Sequence, residues 1–128
     1  MPSERMKLVA KLDRVFSKWV RLSAADHTGA IQCYTCGVTK HWQKVDAGHF
    51  MVRGKYGTRW DPRNVKAQCK GCNLRSGEQH LFGLALDREY GEGTAEEIRQ
   101  QSNQIRKWTN QELRDLIKHY QEELKKIE

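Results

Sequence analysis

Two cysteine pairs are the residues of this chain best suited to chemistry. Cys33-Tyr34-Thr35-Cys36 and Cys69-Lys70-Gly71-Cys72 each separate two thiols by two residues, and 32 residues lie between Cys36 and Cys69. A two-residue spacer lets both thiolates of such a knuckle reach one ion at about 2.3 Å, and two knuckles complete a tetrahedral, all-cysteine zinc site. A redox pair does not explain a second copy. Two disulfides do not suit a chain that opens without an export signal. With sulfur in all four positions the Zn2+ is expected to be structural, because no position is left to activate water. The insert is longer than a simple zinc ribbon needs, so something substantial is expected between the knuckles.

That insert holds Asp46-Ala47-Gly48-His49-Phe50, then Arg53, then Asn64 through Cys69, and Asn73 follows Cys72 directly. A histidine ending a strand, an asparagine ahead of the second knuckle and a polar residue just after it form a pattern. The pattern resembles the ββα-metal (HNH) nucleases. Within them the Cys-x-x-Cys-Asn of the second knuckle is similar to the endonuclease VII-like resolvases. Closer still is the resemblance to the NinG (Rap) recombination family of lambdoid phages. Lys11 to Arg21, the first knuckle, Asp46 to Phe50, Gln68 to Asn73, Ser76-Gly77 and Trp108-Thr109 carry it in that order.

The resemblance implies a fold, an activity and a set of roles. The fold would be α+β, a small zinc-braced ββα-metal core with an N-terminal helix and C-terminal helices. The activity would be metal-dependent hydrolysis of branched DNA, such as Holliday junctions or D-loops. His49 is then the general base, since an unperturbed pKa of about 6.5 suits proton removal near neutrality. Asn73 would bind Mg2+ or Mn2+ through its amide oxygen, or else cap the following helix. Asp46 would be the second ligand, because a hard cation takes carboxylate oxygen. Asn64 would fix the loop and orient the base. Gly48 stands where the endonuclease VII pattern has an acid, which leaves Glu78 and His80 as fallback ligands. Arg53 could clamp the scissile phosphate, and Lys55, Arg59, Arg63 and Lys66 could track the flanking backbone. Tyr56 or Trp60 could stack on an unpaired base, with Trp60 favoured instead as a core anchor. His27, His41 and His119 carry no motif.

These residues need elements to position them. Leu8, Val9, Leu12, Val15, Phe16, Trp19 and Val20 recur at helical spacing and predict an amphipathic helix over 4–22. Short β-like runs follow from Ile31 to Phe50, and Gly54, Gly57, Asp61 and Pro62 mark a loop. A helix is predicted from Cys72 or Asn73 to Tyr90, with a break at Gly77 and an end at Gly91 and Gly93. Thr94-x-x-Glu97 and Thr109-x-x-Glu112 read as capping boxes. The last helix sets Leu113, Leu116, Ile117, Tyr120, Leu124 and Ile127 along one face. That face is expected either to seam a homodimer on a two-fold junction or to pack on the first helix. The segments divide as 1–30, 31–90 and 91–128 within one compact domain.

Composition sets the outer bounds. The 128 residues are 38% hydrophobic and 30% charged, so the core is thin and gains from a metal or a partner. The net charge is +7, and residues 33–80 alone carry +6 while residues 81–128 carry −2. A basic middle third points to a polyanion. Disordered, secreted and membrane classes are disfavoured, and the cytoplasm of a bacterial host, at the nucleoid, is the expected location. Two function classes fit: a DNA endonuclease of phage recombination, which would also meet recombination-pathway proteins, or a non-catalytic zinc module that binds DNA.

Overall fold

The computed structural model describes residues 1–128. Helix α1 spans Glu4–Ser23, and Ser3 caps it by accepting the Met6 N–H on its hydroxyl. Its buried stripe is Leu12, Phe16 and Val20, one residue per turn. Strands β1 (Ala30–Gln32) and β2 (Thr39–His41) form a small antiparallel hairpin around the first cysteine pair. Strands β3 (Asp46–His49) and β4 (Val65–Gln68) form a second antiparallel pair, in which Asp46 faces Gln68 and His49 faces Val65. Residues 50–64 loop out between them. The second cysteine pair opens the short helix α2 (Lys70–Leu74), with Cys69 as its N-cap.

A single 3-10 turn, Ser76–Glu78, separates α2 from α3 (Gln79–Tyr90). The break predicted at Gly77 is present, with φ at 71°, and Ser76 and Glu78 beside it also take positive φ. Three consecutive residues in left-handed backbone cannot continue a right-handed helix. Helix α4 spans Thr94–Ser102 and α5 spans Asn110–Ile127. Thr109 and Glu112 form the expected capping box at α5. At α4 the expectation fails: Gly93 is the N-cap and Thr94 lies one position inside, where its hydroxyl donates to the Gly91 carbonyl.

The main core joins distant parts of the sequence. Leu12, Phe16 and Val20 of α1 meet Leu113, Ile117 and Tyr120 of α5, and Trp60 and Val65 complete the cluster. Tyr120 lies 4.9 Å from Phe16, edge to face, and 4.9 Å from Trp19. The apolar face of α5 is therefore used within the chain, against α1, and does not supply the exposed seam considered for a dimer. A second cluster holds Phe50, Phe82, Leu86 and Ile98, and seats α3 and α4 against the start of the loop. The architecture is α+β, with five helices and two two-stranded sheets. No helix is long and apolar enough to cross a membrane.

Candidate functional site

The four cysteines converge. Their sulfurs all lie within 4.8 Å of one another, and Cys36 and Cys69 are 3.8 Å apart across the two knuckles. This is the spacing of ligands around one ion, and the donor set is that of a thiophilic metal such as zinc. The thiols of the cluster do not titrate alike. Burial pushes the Cys33 thiol up, but the Thr35 hydroxyl and backbone N–H groups outweigh it and bring the thiol down to about 6. Cys72 is pushed up to about 12, first by burial and then by its sulfur neighbours. Held as thiolates, four sulfurs this close would need a cation among them.

Next to this cluster, β3 and the loop after it build a cleft of about 760 Å3, lined among others by His49, Arg53, Lys55 and Asn73. His49 ends β3 and is half-buried. Its Nε2 is 3.1 Å from the Arg59 carbonyl. A carbonyl only accepts, so Nε2 carries the proton and Nδ1 of the neutral ring is left with the lone pair. Burial holds the imidazole below its ordinary pKa, and the Arg53 and Arg59 charges add to this against the Arg59 carbonyl and Asp13. At neutral pH the ring is thus unprotonated at Nδ1, the state a general base requires.

Asn64 is fully buried and ties the loop to itself. Its Oδ1 accepts the Met51 N–H at 2.7 Å, and its Nδ2 donates to the Met51 and Thr58 carbonyls, each at 3.1 Å. The loop that carries Arg59 past His49 is fixed this way. A second tie carries no signal in the sequence. Asp13 of α1 accepts Arg59 Nε at 3.1 Å, Arg59 Nη2 at 2.6 Å and the Trp60 indole N–H at 3.0 Å. The Arg59 side chain also donates to the Arg53 carbonyl and is only 8% exposed. Arg59 is therefore a buried anchor of the loop, which corrects its reading as a phosphate contact.

Arg63 and Lys66 are also engaged inside the molecule. Arg63 reaches Glu97 and Gln101, each at 3.3 Å, and Asp61 at 3.8 Å. Lys66 pairs with Glu89 at 3.2 Å, lies over the Tyr34 and Tyr90 rings, and is absent from the His49 cleft. Trp60 is the core anchor, packed edge to face on Tyr56 and Trp108. Arg53 and Lys55 alone of the five expected DNA contacts are exposed and line the cleft.

The expected pair of catalytic metal ligands meets, but not as ligands. Asn73 Nδ2 donates to Asp46 Oδ2 at 3.0 Å, and Lys70 Nζ donates to Asp46 Oδ1 at 2.8 Å. Burial raises the Asp46 pKa, but the Lys70 and Asn73 hydrogen bonds and the Lys70 and Arg21 charges more than reverse it, so the carboxylate stays ionised. Both carboxylate oxygens are taken, one of them by an ammonium group. This arrangement does not fit a divalent ion. Glu78 pairs with Arg75 at 2.9 Å and His80 is exposed past the Gly77 break, and neither lines the cleft. The break removes the shared helical face that would have made His80 a ligand.

Gly48 has a local cause. A Cβ built there would lie 1.8 Å from Gln68 Oε1. Gln68 is fully buried, and its Nε2 donates to the Thr35 hydroxyl at 3.1 Å and the Gly77 carbonyl at 2.9 Å, while Oε1 has no partner. The side chain of a β4 residue thus fills the space that an acid before the histidine would need.

A family model described as "NinG: Bacteriophage Lambda NinG protein" matches residues 3–128. The chain is 32% identical over 99 residues to Protein ninG of Escherichia phage 933W, covering 76% of this chain and 48% of that protein. Protein ninG of Enterobacteria phage VT2-Sa matches to the same extent. Protein ninG of Salmonella phage P22 is 29% identical over the same length. The chain spans about half the length of these curated relatives. No solved structure matches it.

Proposed function

The chain belongs to the NinG family, and from that premise we propose that it is a structure-specific DNA endonuclease of phage recombination, with a zinc-braced ββα core of HNH type and branched DNA as substrate. One observation carries the reading. His49 has its Nε2 proton committed to the Arg59 carbonyl, and it lines a cleft together with Arg53, Lys55 and Asn73. A neutral imidazole with a lone pair at Nδ1, beside two free cations, can take a proton from water while the cations hold a phosphate. Cys33, Cys36, Cys69 and Cys72 would hold Zn2+, which when bound crosslinks the β1–β2 hairpin to the start of α2. Asn64 and Asp13 hold the loop whose carbonyl fixes the His49 ring. Phosphodiester hydrolysis of this kind would draw on Mg2+ or Mn2+ as a Lewis acid, and Asp46 and Asn73, bonded to each other, do not fit that ion as they stand.

A specific observation favours a second reading, a non-catalytic zinc module that binds DNA. Asp46 is fully occupied by Lys70 and Asn73, and Gly48 offers no acid in its place. The test is incubation of a labelled four-way junction with zinc-loaded protein in Mg2+, Mn2+ or EDTA. Divalent-dependent cuts that vanish in His49→Ala, with binding retained, support the nuclease. A wild type that binds junctions tightly and never cuts them selects the module.

A further inference from the structure

We propose that helix α4 is the second wall of a groove for one sugar–phosphate strand, with Arg99 as a phosphate contact, and that the groove reads backbone and not bases. The proposal rests on the reading of the chain as a DNA-binding protein and adds an element to it that lies outside the basic middle third.

The charge of the cleft is of one sign. Its charged lining residues, apart from His49, are Arg53 and Lys55 on the loop and Arg99 on α4, with no aspartate or glutamate among them. Residues 81–128 carry a net −2, so an arginine turned into the cleft runs against its own segment. Other arginines nearby are engaged: Arg59 on Asp13, Arg63 on Glu97, Arg106 on Glu112. Arg53 and Lys55 form no ion pair. The one pair of Arg99 is Nε to Glu96 at 3.3 Å, between side chains 56% and 62% exposed. Such a pair contributes little, and it leaves the terminal guanidinium nitrogens for a phosphate.

The two walls are held together before any ligand arrives. Gln101 of α4 donates to the Gly57 carbonyl at 3.2 Å and to Asp61 at 3.4 Å, and accepts from Arg63 at 3.3 Å. The loop passes so close that a Cβ at Gly57 would lie 2.9 Å from the Gln101 carbonyl oxygen. A groove with its width fixed in advance spends less on ordering when a strand enters.

The groove offers little with which to read a base. Stacking needs an open aromatic face, but Phe50 is buried against Phe82, and Tyr56 and Trp60 pack on each other. Direct readout needs free amide or hydroxyl groups, and of those lining the groove Asn73 is bonded to Asp46, Gln79 to the Phe50 carbonyl at 2.7 Å and Ser102 to the Arg99 carbonyl at 2.7 Å, which leaves Ser76 and Asn103 beside three cations. Cations on two sides of a polar cleft suit a phosphodiester chain of any sequence.

The experiment is fluorescence anisotropy of the zinc-loaded chain on a labelled four-way junction across a salt series. Each lost phosphate contact should reduce the slope of log K against log salt by about 0.9. Arg99→Ala, Arg53→Ala and Lys55→Ala should each do so, Arg99→Lys should keep the wild-type slope, and Arg88→Ala on the exposed end of α3 should change nothing. Exchanging the base sequence of the junction at fixed shape should leave affinity within about two-fold, since phosphate contacts carry no sequence information. An unchanged slope in Arg99→Ala beside reduced slopes in Arg53→Ala and Lys55→Ala overturns the α4 wall and leaves DNA binding intact. A ten-fold response to sequence overturns backbone-only reading. A wild type that binds no nucleic acid fails the DNA reading itself.

Discussion

At the scale of single residues, which nitrogen of His49 carries the proton is decided by a carbonyl ten positions away, and its titration by burial. Because burial lowers its pKa, the ring is neutral in the fold at pH values where the unfolded chain near 6.5 is already protonating. The sign follows: the stability this group contributes is full above pH 6.5 and is lost as pH falls through the folded value. An NMR titration of the His49 ring should give a midpoint below 6.5, and a midpoint at or above it contradicts the geometry. On the proposed nuclease reading, His49→Ala should cost cleavage more than about 10²-fold while junction binding stays close to wild type, as single-turnover rates and anisotropy would measure. Gly48 makes a separate prediction. Gly48→Ala drives a methyl into Gln68, which is pinned by two hydrogen bonds and cannot swing away, so urea melts should show a loss of about 1–3 kcal/mol. Adding Gln68→Ala removes the obstacle, and the double variant should be less destabilised than the sum of the two singles.

The cysteine cluster was legible in the sequence because its types and spacing are local, two knuckles whose sulfurs converge, and the candidates His49, Asn64 and Asn73 were picked out by their fixed offsets from it. Asp13 and Gln68 were not, because what they do depends on a partner 46 or 20 positions away. Arg59 was misread for the same reason. A basic loop looks like a phosphate track until the carboxylate from α1 is placed against it.

At the scale of elements, α1 was legible almost to the residue, since seven apolar side chains at helical spacing leave little choice. The Gly77 break and the Thr109 capping box were legible too, each from a residue type whose backbone preference acts on the spot. The Thr94 box was not, because a one-residue shift of the helix start moves the threonine off the cap, and only the αL conformation of Gly93 fixes that start. The use of α5 was the open choice. Its stripe fits either a partner copy or α1, and periodicity does not separate the two. The structure gives a test. Tyr120→Glu would place a carboxylate against Phe16 and Trp19, at a cost of about 3–5 kcal/mol. Thermal melts should therefore show a destabilised or unfolded chain. A folded protein of halved mass by light scattering would restore the dimer seam.

At the scale of the whole molecule, zinc is expected to act as a clasp between the first hairpin and the second sheet. Cys69→Ser removes one thiolate and should lower the melting temperature sharply, and chelation should do the same to the wild type, because binding and folding are linked. A Cys69→Ser protein with unchanged melting and no zinc by elemental analysis would rule out a structural ion.

The pairing of α1 with α5 has a kinetic consequence. Glu4 meets Arg114 and Lys18 meets Glu128, so the first and last helices lie side by side and point the same way. Before Trp60 the stripe of Leu12, Phe16 and Val20 has only partly buried partners, such as Trp19 on its own helix and Ala47 on β3, and most of its buried partners arrive with Leu113, Ile117 and Tyr120. On a ribosome, the apolar stripe of α1 is made first and must wait for nearly the whole chain before it is covered. Contacts of such long sequence separation close slowly. The nascent chain is exposed to sticking during that interval, and a message broken before α5 would release a polypeptide whose knuckles can bind metal but whose first helix stays bare.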